Sequence, residues 1–283
     1  MVIRDCILKA LDILRASGVE NPTLDARVLL CHAIGEDNVY LALNPDAEVS
    51  KSDEETFFKV VSRRANHEPV AYITGNKEFM SMDFYVDSNV LIPRPDTEHL
   101  AELAIELIKK YGFKDIADFC TGSGALAVSI GKFCPDTSVT GYDISIPALD
   151  VANKNKDMHS VDNVSFAELD VLNELSHINR KFDMVVSNPP YITGDEMKTL
   201  DRTVDEYEPH LALYGGEDGL DFYRVITDNA HFYLKDGGVL AFEVGHKQAD
   251  DVAELMKEHF TDIKIKTDYA GIKRVVYGKK ADS

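Results

Sequence analysis

From Thr97 onward, short apolar runs of strand character alternate with amphipathic stretches of helical period, and this alternation limits the fold more than any other feature. The strand-like runs are 116–120, 139–144, 164–169, 182–187, 239–244, 263–269 and 273–277. Helical patterns lie at about 98–110, 125–133, 147–158, 220–234 and 248–260. Such an order predicts an α/β doubly wound sheet of seven strands, with its ligand crevice at the carboxyl ends of the strands.

The first 75 residues read differently. Ile3, Ile7, Ala10, Leu11 and Leu14 share a helix face that Gly18 ends. Asn21 reads as an N-cap before Pro22, opening a helix with Leu24, Val28, Leu29 and Ile34. A third helix from about Ser52 carries Phe57, Phe58, Val60 and Val61. The expected division is a helical domain over 1–75, a hairpin linker over 76–92 (Phe79, Phe84, Val86 and Val90 among polar residues) and a catalytic sheet domain over 93–283.

Charge narrows the function classes. The 283 residues carry a formal charge of −19, with basic residues clustered only as the pairs Arg63–Arg64, Lys109–Lys110 and Lys279–Lys280. Sequence-independent nucleic-acid binding needs clustered Lys and Arg, so no direct nucleic-acid partner is expected. No run approaches the roughly 18–20 apolar residues of a membrane span, so no membrane partner is expected. The N-terminal stretch mixes charges into its apolar positions and does not read as a signal peptide. Cys6, Cys31, Cys120 and Cys134 are too scattered for a disulfide framework or a zinc site. These features predict a cytoplasmic, metal-free protein.

The first strand runs into a helix through Asp118-Phe-Cys-Thr-Gly-Ser-Gly124, with Ala127 one turn on. Gly122 and Gly124 permit a tight turn and a close approach of backbone to ligand. Asp143 ends the next strand, where a carboxylate can accept two ribose hydroxyls. A dinucleotide and S-adenosylmethionine both fit that pattern. Asp170, after the third strand, is either an acceptor for an adenine amino group or an exposed loop acid.

The fourth strand ends in Ser187-Asn188-Pro189-Pro190-Tyr191. Two prolines stiffen the backbone and remove two N–H donors, leaving carbonyl acceptors beside the Asn188 side-chain oxygen. Together these can take both hydrogens of a planar –NH2 group, and Tyr191 can stack on its plane. An amide nitrogen is a weak nucleophile because its lone pair is delocalised. Holding both N–H bonds localises that pair and aims it, so positioning and electrostatics supply the catalysis. Adenine, guanine and glutamine all present such a group, and the tetrapeptide does not choose among them.

Longer stretches do. NPTLDARVLL, EPVAYITGNKEF, VLIPRPDTEHL, DFCTGSGALAVSI, DISIPALDVANKN, FDMVVSNPPYI, VDEYEPHLALYGGEDGLDFYR and GIKRVV together make the chain resemble the bacterial release factor glutamine methyltransferase family (PrmC/HemK) over nearly its whole length. The resemblance implies methyl transfer from S-adenosylmethionine, yielding S-adenosylhomocysteine, to the glutamine side chain in the Gly-Gly-Gln loop of class 1 peptide chain release factors. It implies a helical substrate-recognition domain and a seven-stranded Rossmann-like methyltransferase domain. Carried over by position, Cys120, Thr121, Gly122, Ser123 and Gly124 wrap the cofactor's methionine part, Asp143 its ribose, and Asp170 and Val171 its adenine. Asn188 and the Pro189 carbonyl bind the amide, with Pro190 and Tyr191 shaping the slot and Asn188 also beside the cofactor. Gly is usual at position 120; a left-handed backbone there would weaken cofactor binding, although little loss is expected from a residue as small as Cys.

The 91–98 stretch is expected to cap the next helix through Asp96 or Thr97 and to wall the slot. The 208–220 loop reads equally as a flexible connection or a lid. The alternatives are a glutamine methyltransferase acting on a large-subunit ribosomal protein, an adenine DNA methyltransferase, a dehydrogenase and a non-catalytic binding module. The charge and the absence of a target-recognition domain oppose the second, and Asn188-Pro-Pro-Tyr opposes the third. Intact Gly122, Gly124, Asp143 and Asn188 oppose the last.

Overall fold

The computed structural model describes residues 1–281, which divide into two compact units. The first comprises 1–76 with 201–207, and the second 77–200 with 208–281. In the first, α1 (Ile3–Ala16), α2 (Pro22–Ile34), α3 (Asn38–Leu43), α4 (Lys51–Ala65) and α5 (Val70–Thr74) enclose Leu14, Leu29, Leu30, Phe57 and Val61. Ser50 caps α4 by accepting the Asp53 N–H at 3.2 Å, whereas the Asn21 side chain makes no cap bond and Pro22 alone opens α2. Residues 201–207 were expected in the catalytic domain. They join this unit instead, with the Tyr207 hydroxyl donating to the Asn66 carbonyl at 2.8 Å.

A hairpin follows, β1 (Asn76–Phe79) and β2 (Met82–Tyr85), which lies in the second unit from Lys77 onward. The hairpin expected over this stretch is present, and it buries Phe79 and Phe84 in the core beneath one face of the main sheet. Asn155 secures it, accepting the Tyr85 N–H at 2.7 Å and donating to the Tyr85 carbonyl at 2.9 Å. The main elements follow as α6 (Glu98–Tyr111), β3 (Asp115–Phe119), α7 (Ala125–Phe133), β4 (Ser138–Asp143), α8 (Ile146–His159), β5 (Val164–Glu168) and β6 (Phe182–Ser187). After α9 (Gly194–Met197), and α10 (Arg202–Asp205) of the first unit, come α11 (Asp221–Asp228), α12 (Ala230–Tyr233), β7 (Leu234–Glu243), α13 (Ala249–Met256), β8 (Phe260–Thr267) and β9 (Lys273–Lys280).

The seven strands form one sheet in the order β5-β4-β3-β6-β7-β9-β8. The first five in that order are parallel, and β9 runs antiparallel to both β7 and β8. Period-2 alternation sorts side chains to two cores: Ile116, Met184, Val186 and Ala241 to one face, Ala117, Phe119, Val185 and Phe242 to the other. The helix expected over 220–234 is interrupted at Asn229, and that over 248–260 ends early because Phe260 begins β8. The strand order reverses between β3 and β6, with Phe119 registered on Ser187. The loops leaving these two strands therefore emerge side by side, where a doubly wound sheet opens its crevice.

Candidate active site

The turn after β3 needs left-handed backbone at three positions, with φ of 60° at Cys120, 53° at Gly122 and 75° at Gly124. At Gly124 there is also no room: a Cβ would lie 2.9 Å from both the Ala152 Cβ and the Phe166 ring. That contact seats the start of α7 against α8. At Gly122 the opposite holds, because a Cβ would meet nothing within 4 Å and the space above the turn is open. Cys120 thus takes the left-handed backbone for which glycine at that position would be suited. Burial and the Asp143 and Asp118 carboxylates raise the Cys120 thiol well above its ordinary range, so it stays protonated and is no nucleophile.

Asp143 holds this turn from the end of β4. Its carboxylate accepts the Gly122 N–H at 2.8 Å and the Ser145 N–H at 2.9 Å. Burial raises its pKa against those two bonds. Asp118, deeper in β3, accepts the Thr121 hydroxyl at 2.6 Å, and burial pushes its pKa to about 7. Asp170 organises its own loop, accepting the Leu172 N–H at 2.9 Å and the Asn173 side-chain N–H at 2.7 Å.

Two cavities meet at these loops. The larger, of about 180 Å³, is lined by Cys120, Gly122, Asp143, Asp170, Val171, Asn188 and Pro190 among others. The smaller, of about 60 Å³, includes Thr121 and Ser123 and shares Leu91, Cys120, Gly122 and Asn188 with its neighbour. Gly124, Pro189 and Tyr191 line neither. Gly124 acts through packing, and the Tyr191 ring lies against the core face that includes Phe242. Its hydroxyl is raised above the usual tyrosine range by burial and then by Glu243.

The donor set suits S-adenosylmethionine. Asp143 offers a carboxylate with lone pairs left beyond its two backbone partners, while Ala148, Leu169 and Val171 give apolar walls for a flat ring. The open space at Gly122 leads from there toward Asn188.

Segments that sequence patterns left uncertain complete the walls. Neither Asp96 nor Thr97 caps α6 with its side chain; Thr97 closes a 3-10 turn, Pro95–Thr97, and its Oγ1 accepts the Asn188 Nδ2 at 3.1 Å. The 208–220 segment is fixed in place. Buried Glu208 accepts the Ile92 N–H at 3.2 Å and pairs with Arg94, while the Ile192 N–H donates to the Leu213 carbonyl at 2.8 Å. Gln248 fastens the far side, donating to the carbonyls of Tyr191 at 3.0 Å and Gly219 at 3.2 Å. Pro209, Leu211 and Ala212 thereby become part of the larger cavity's wall.

Glu243 was missed in the sequence. It ends β7, 2% exposed, and burial raises its pKa to about 7 against the lowering effect of the nearby Thr97 hydroxyl. A lone acid inside the apolar run Val-Leu-Ala-Phe-Glu-Val of a central strand was the available signal.

Residues 5–75 match the PrmC N-terminal domain and residues 97–217 the methyltransferase small domain. The chain is 40% identical, over 98% of its own length and 98% of the relative's, to a release factor glutamine methyltransferase of Clostridium acetobutylicum. It is 38% identical to another of that description from Koribacter versatilis, with both chains fully covered. The chain belongs to the release factor glutamine methyltransferase family. Among solved structures it is similar to a methyltransferase from Pyrococcus furiosus, at a TM-score of 0.52 and 17% identity over 78% of this chain and 99% of that one. It also resembles a ribosomal protein L11 methylase from Lactobacillus delbrueckii, at a TM-score of 0.50 and 20% identity over 70% of this chain and 84% of the other. Those two likenesses show the methyltransferase fold. Among the described residues, no helix is long and apolar enough to cross a membrane.

Proposed function

We propose that this member of the family transfers a methyl group from S-adenosylmethionine to the side-chain amide nitrogen of the glutamine in the Gly-Gly-Gln loop of class 1 peptide chain release factors. The observation that carries it is the position of Asn188 at the junction of the two cavities, its Nδ2 engaged by Thr97 and its oxygen left as an acceptor. The helical unit is assigned to holding the release factor, and the cytoplasm is the expected compartment.

Asp143 would hold the ribose hydroxyls, Val171 and Leu169 the adenine, and the turn from Cys120 to Gly124 the methionine part. S-adenosylmethionine bound there supplies an electrophilic sulfonium methyl. The Asn188 oxygen would accept one amide hydrogen, and the Pro189 carbonyl, which lines neither cavity in this structure, would accept the other once the glutamine is seated, concentrating the nitrogen lone pair. Transfer of that methyl to the held nitrogen would leave it one proton to lose, to solvent or a neighbouring acceptor.

Purified protein incubated with S-adenosylmethionine and a matching release factor should yield a singly methylated Gly-Gly-Gln peptide by mass spectrometry. Transfer to a large-subunit ribosomal protein but not to a release factor would overturn this substrate assignment. Asn188→Ala should lower turnover by at least about 100-fold, the loss expected when a transition-state hydrogen-bonding group is removed. Cofactor affinity, measured by calorimetry, should stay within about threefold, because Asp143 and the β3 turn remain.

A further inference from the structure

An asparagine side chain has two unlike ends, Oδ1 accepting and Nδ2 donating. The proposed amide transfer, on which this inference rests, requires the accepting end to face the glutamine –NH2. Half a turn about the side chain would set donors against donors. Asn188 Nδ2 donates to Thr97 Oγ1 at 3.1 Å. The Thr97 hydroxyl has a single proton of its own, and the Glu243 carboxylate, whose pKa that hydroxyl lowers, lies near enough to take it. An ionised carboxylate only accepts, so Thr97 must donate to it and turn its lone pairs toward Asn188. The direction of each bond thus follows from the charge on Glu243. We propose that Thr97 and Glu243 are positioning residues that hold the Asn188 side chain with its oxygen toward the methyl-accepting glutamine.

Their placement suits that role better than a packing one. Thr97 is 7% exposed, and Glu243 sits where β7 ends beside β6, with Phe242 registered on Ser187 next to Asn188. Among the described residues the Glu243 Oε2 is buried without a hydrogen-bond partner. Such a group costs stability that an apolar residue of similar size would not. The charged groups facing it are Asp96, which raises its pKa, and Arg274 and Arg94, which lower it. Tyr191 lies close, and the Tyr223 hydroxyl bonds the Glu243 backbone carbonyl at 2.9 Å. With its pKa at about 7, Glu243 is ionised above neutrality and enforces the bond order. Once protonated it can itself donate to Thr97, whose proton is then released to turn toward the Asn188 oxygen.

The test compares Thr97→Val, Thr97→Ser and Glu243→Gln with the unaltered enzyme under saturating S-adenosylmethionine and release factor. Unaltered kcat should fall about tenfold per pH unit below neutrality, as for one required ionised group. Glu243→Gln keeps an acceptor oxygen but cannot gain a proton, so its kcat should be flat between about pH 6 and 8. Asp118 also titrates at about 7, and an inflection that persists in Glu243→Gln would assign it there and overturn the proposal. Thr97→Val should lose at least about tenfold in kcat with KM and cofactor Kd within about threefold, while Thr97→Ser recovers most of it. Turnover of Thr97→Val within about twofold of the parent would likewise overturn it.

A second readout needs no substrate. The Asn188 side-chain amide resonances, identified by their loss in Asn188→Ala, should move with a midpoint near neutrality in ¹⁵N-labelled enzyme and stay fixed in Glu243→Gln. Titration in both, or in neither, overturns the positioning role even if Thr97→Val fails to fold. Absence of transfer by the unaltered enzyme counts instead against the release factor assignment.

Discussion

Cys120 occupies left-handed backbone at φ 60° with a side chain that ordinarily avoids it. That conformation costs an L-residue about 1–2 kcal/mol, and glycine's greater freedom when unfolded offsets roughly 0.5–1 of what substitution would recover. Cys120→Gly should therefore raise stability by up to about 1 kcal/mol, seen as a higher urea midpoint. A lower midpoint would mean that contacts of the Cys120 side chain outweigh the backbone strain. Gly124 is the reverse case. Its φ of 75° and the 2.9 Å contacts awaiting any Cβ predict that Gly124→Ala is destabilised by about 1–3 kcal/mol. The same variant should bind S-adenosylmethionine more weakly by calorimetry, because α7 would be pushed off α8.

At the scale of elements, the site is walled by segments with little regular structure, and single side chains fasten them. Gln248 precedes α13 and makes three bonds, accepting the Gly245 N–H at 3.1 Å and donating to Tyr191 and Gly219. Gln248→Ala should cost about 1–3 kcal/mol, as for unsatisfied backbone groups. It should raise KM for the protein substrate several-fold while leaving cofactor Kd unchanged, since Asp143 and Val171 lie on other loops. An equal loss of cofactor affinity would show that the wall and the cofactor cavity move together. Glu208 does the corresponding work for the 91–98 stretch, bridging residues 116 apart in the chain.

For the molecule as a whole, stability and activity should respond to pH in opposite directions. Asp118 and Glu243 have folded pKa values of about 7, above the 3.8 and 4.5 of the exposed groups. The folded state binds more protons between those limits. The stability these groups contribute is therefore complete below their unfolded values and lost as pH rises through neutrality. Asp183, Asp218 and Asp268 are shifted down by hydrogen bonds and cations, and their contribution fades only below the ordinary carboxylate range. From about pH 8 to 6 the urea midpoint should rise while turnover falls. A midpoint that fell over this interval would contradict the buried, neutral-range carboxyls. The charge of −19 reinforces the trend, because protonation relieves self-repulsion.

The sequence by itself determined the alternating architecture, all seven strand regions, the glycine-bearing turn after β3 and Asn188-Pro-Pro-Tyr after β6. Those signals are local: period, glycine spacing and proline depend on neighbours within a few residues. Tertiary structure alone decided what depends on distant partners. The antiparallel insertion of β9 between β7 and β8, the transfer of 201–207 to the helical unit and the hairpin's place in the sheet core all rest on long-range contacts. So does the difference between Thr97 as a cap and Thr97 as the partner of Asn188 and Glu243, residues 91 and 146 positions away. A hydroxyl's hydrogen bonds are chosen by whatever the fold brings within reach, and no pattern of neighbouring residues encodes that choice.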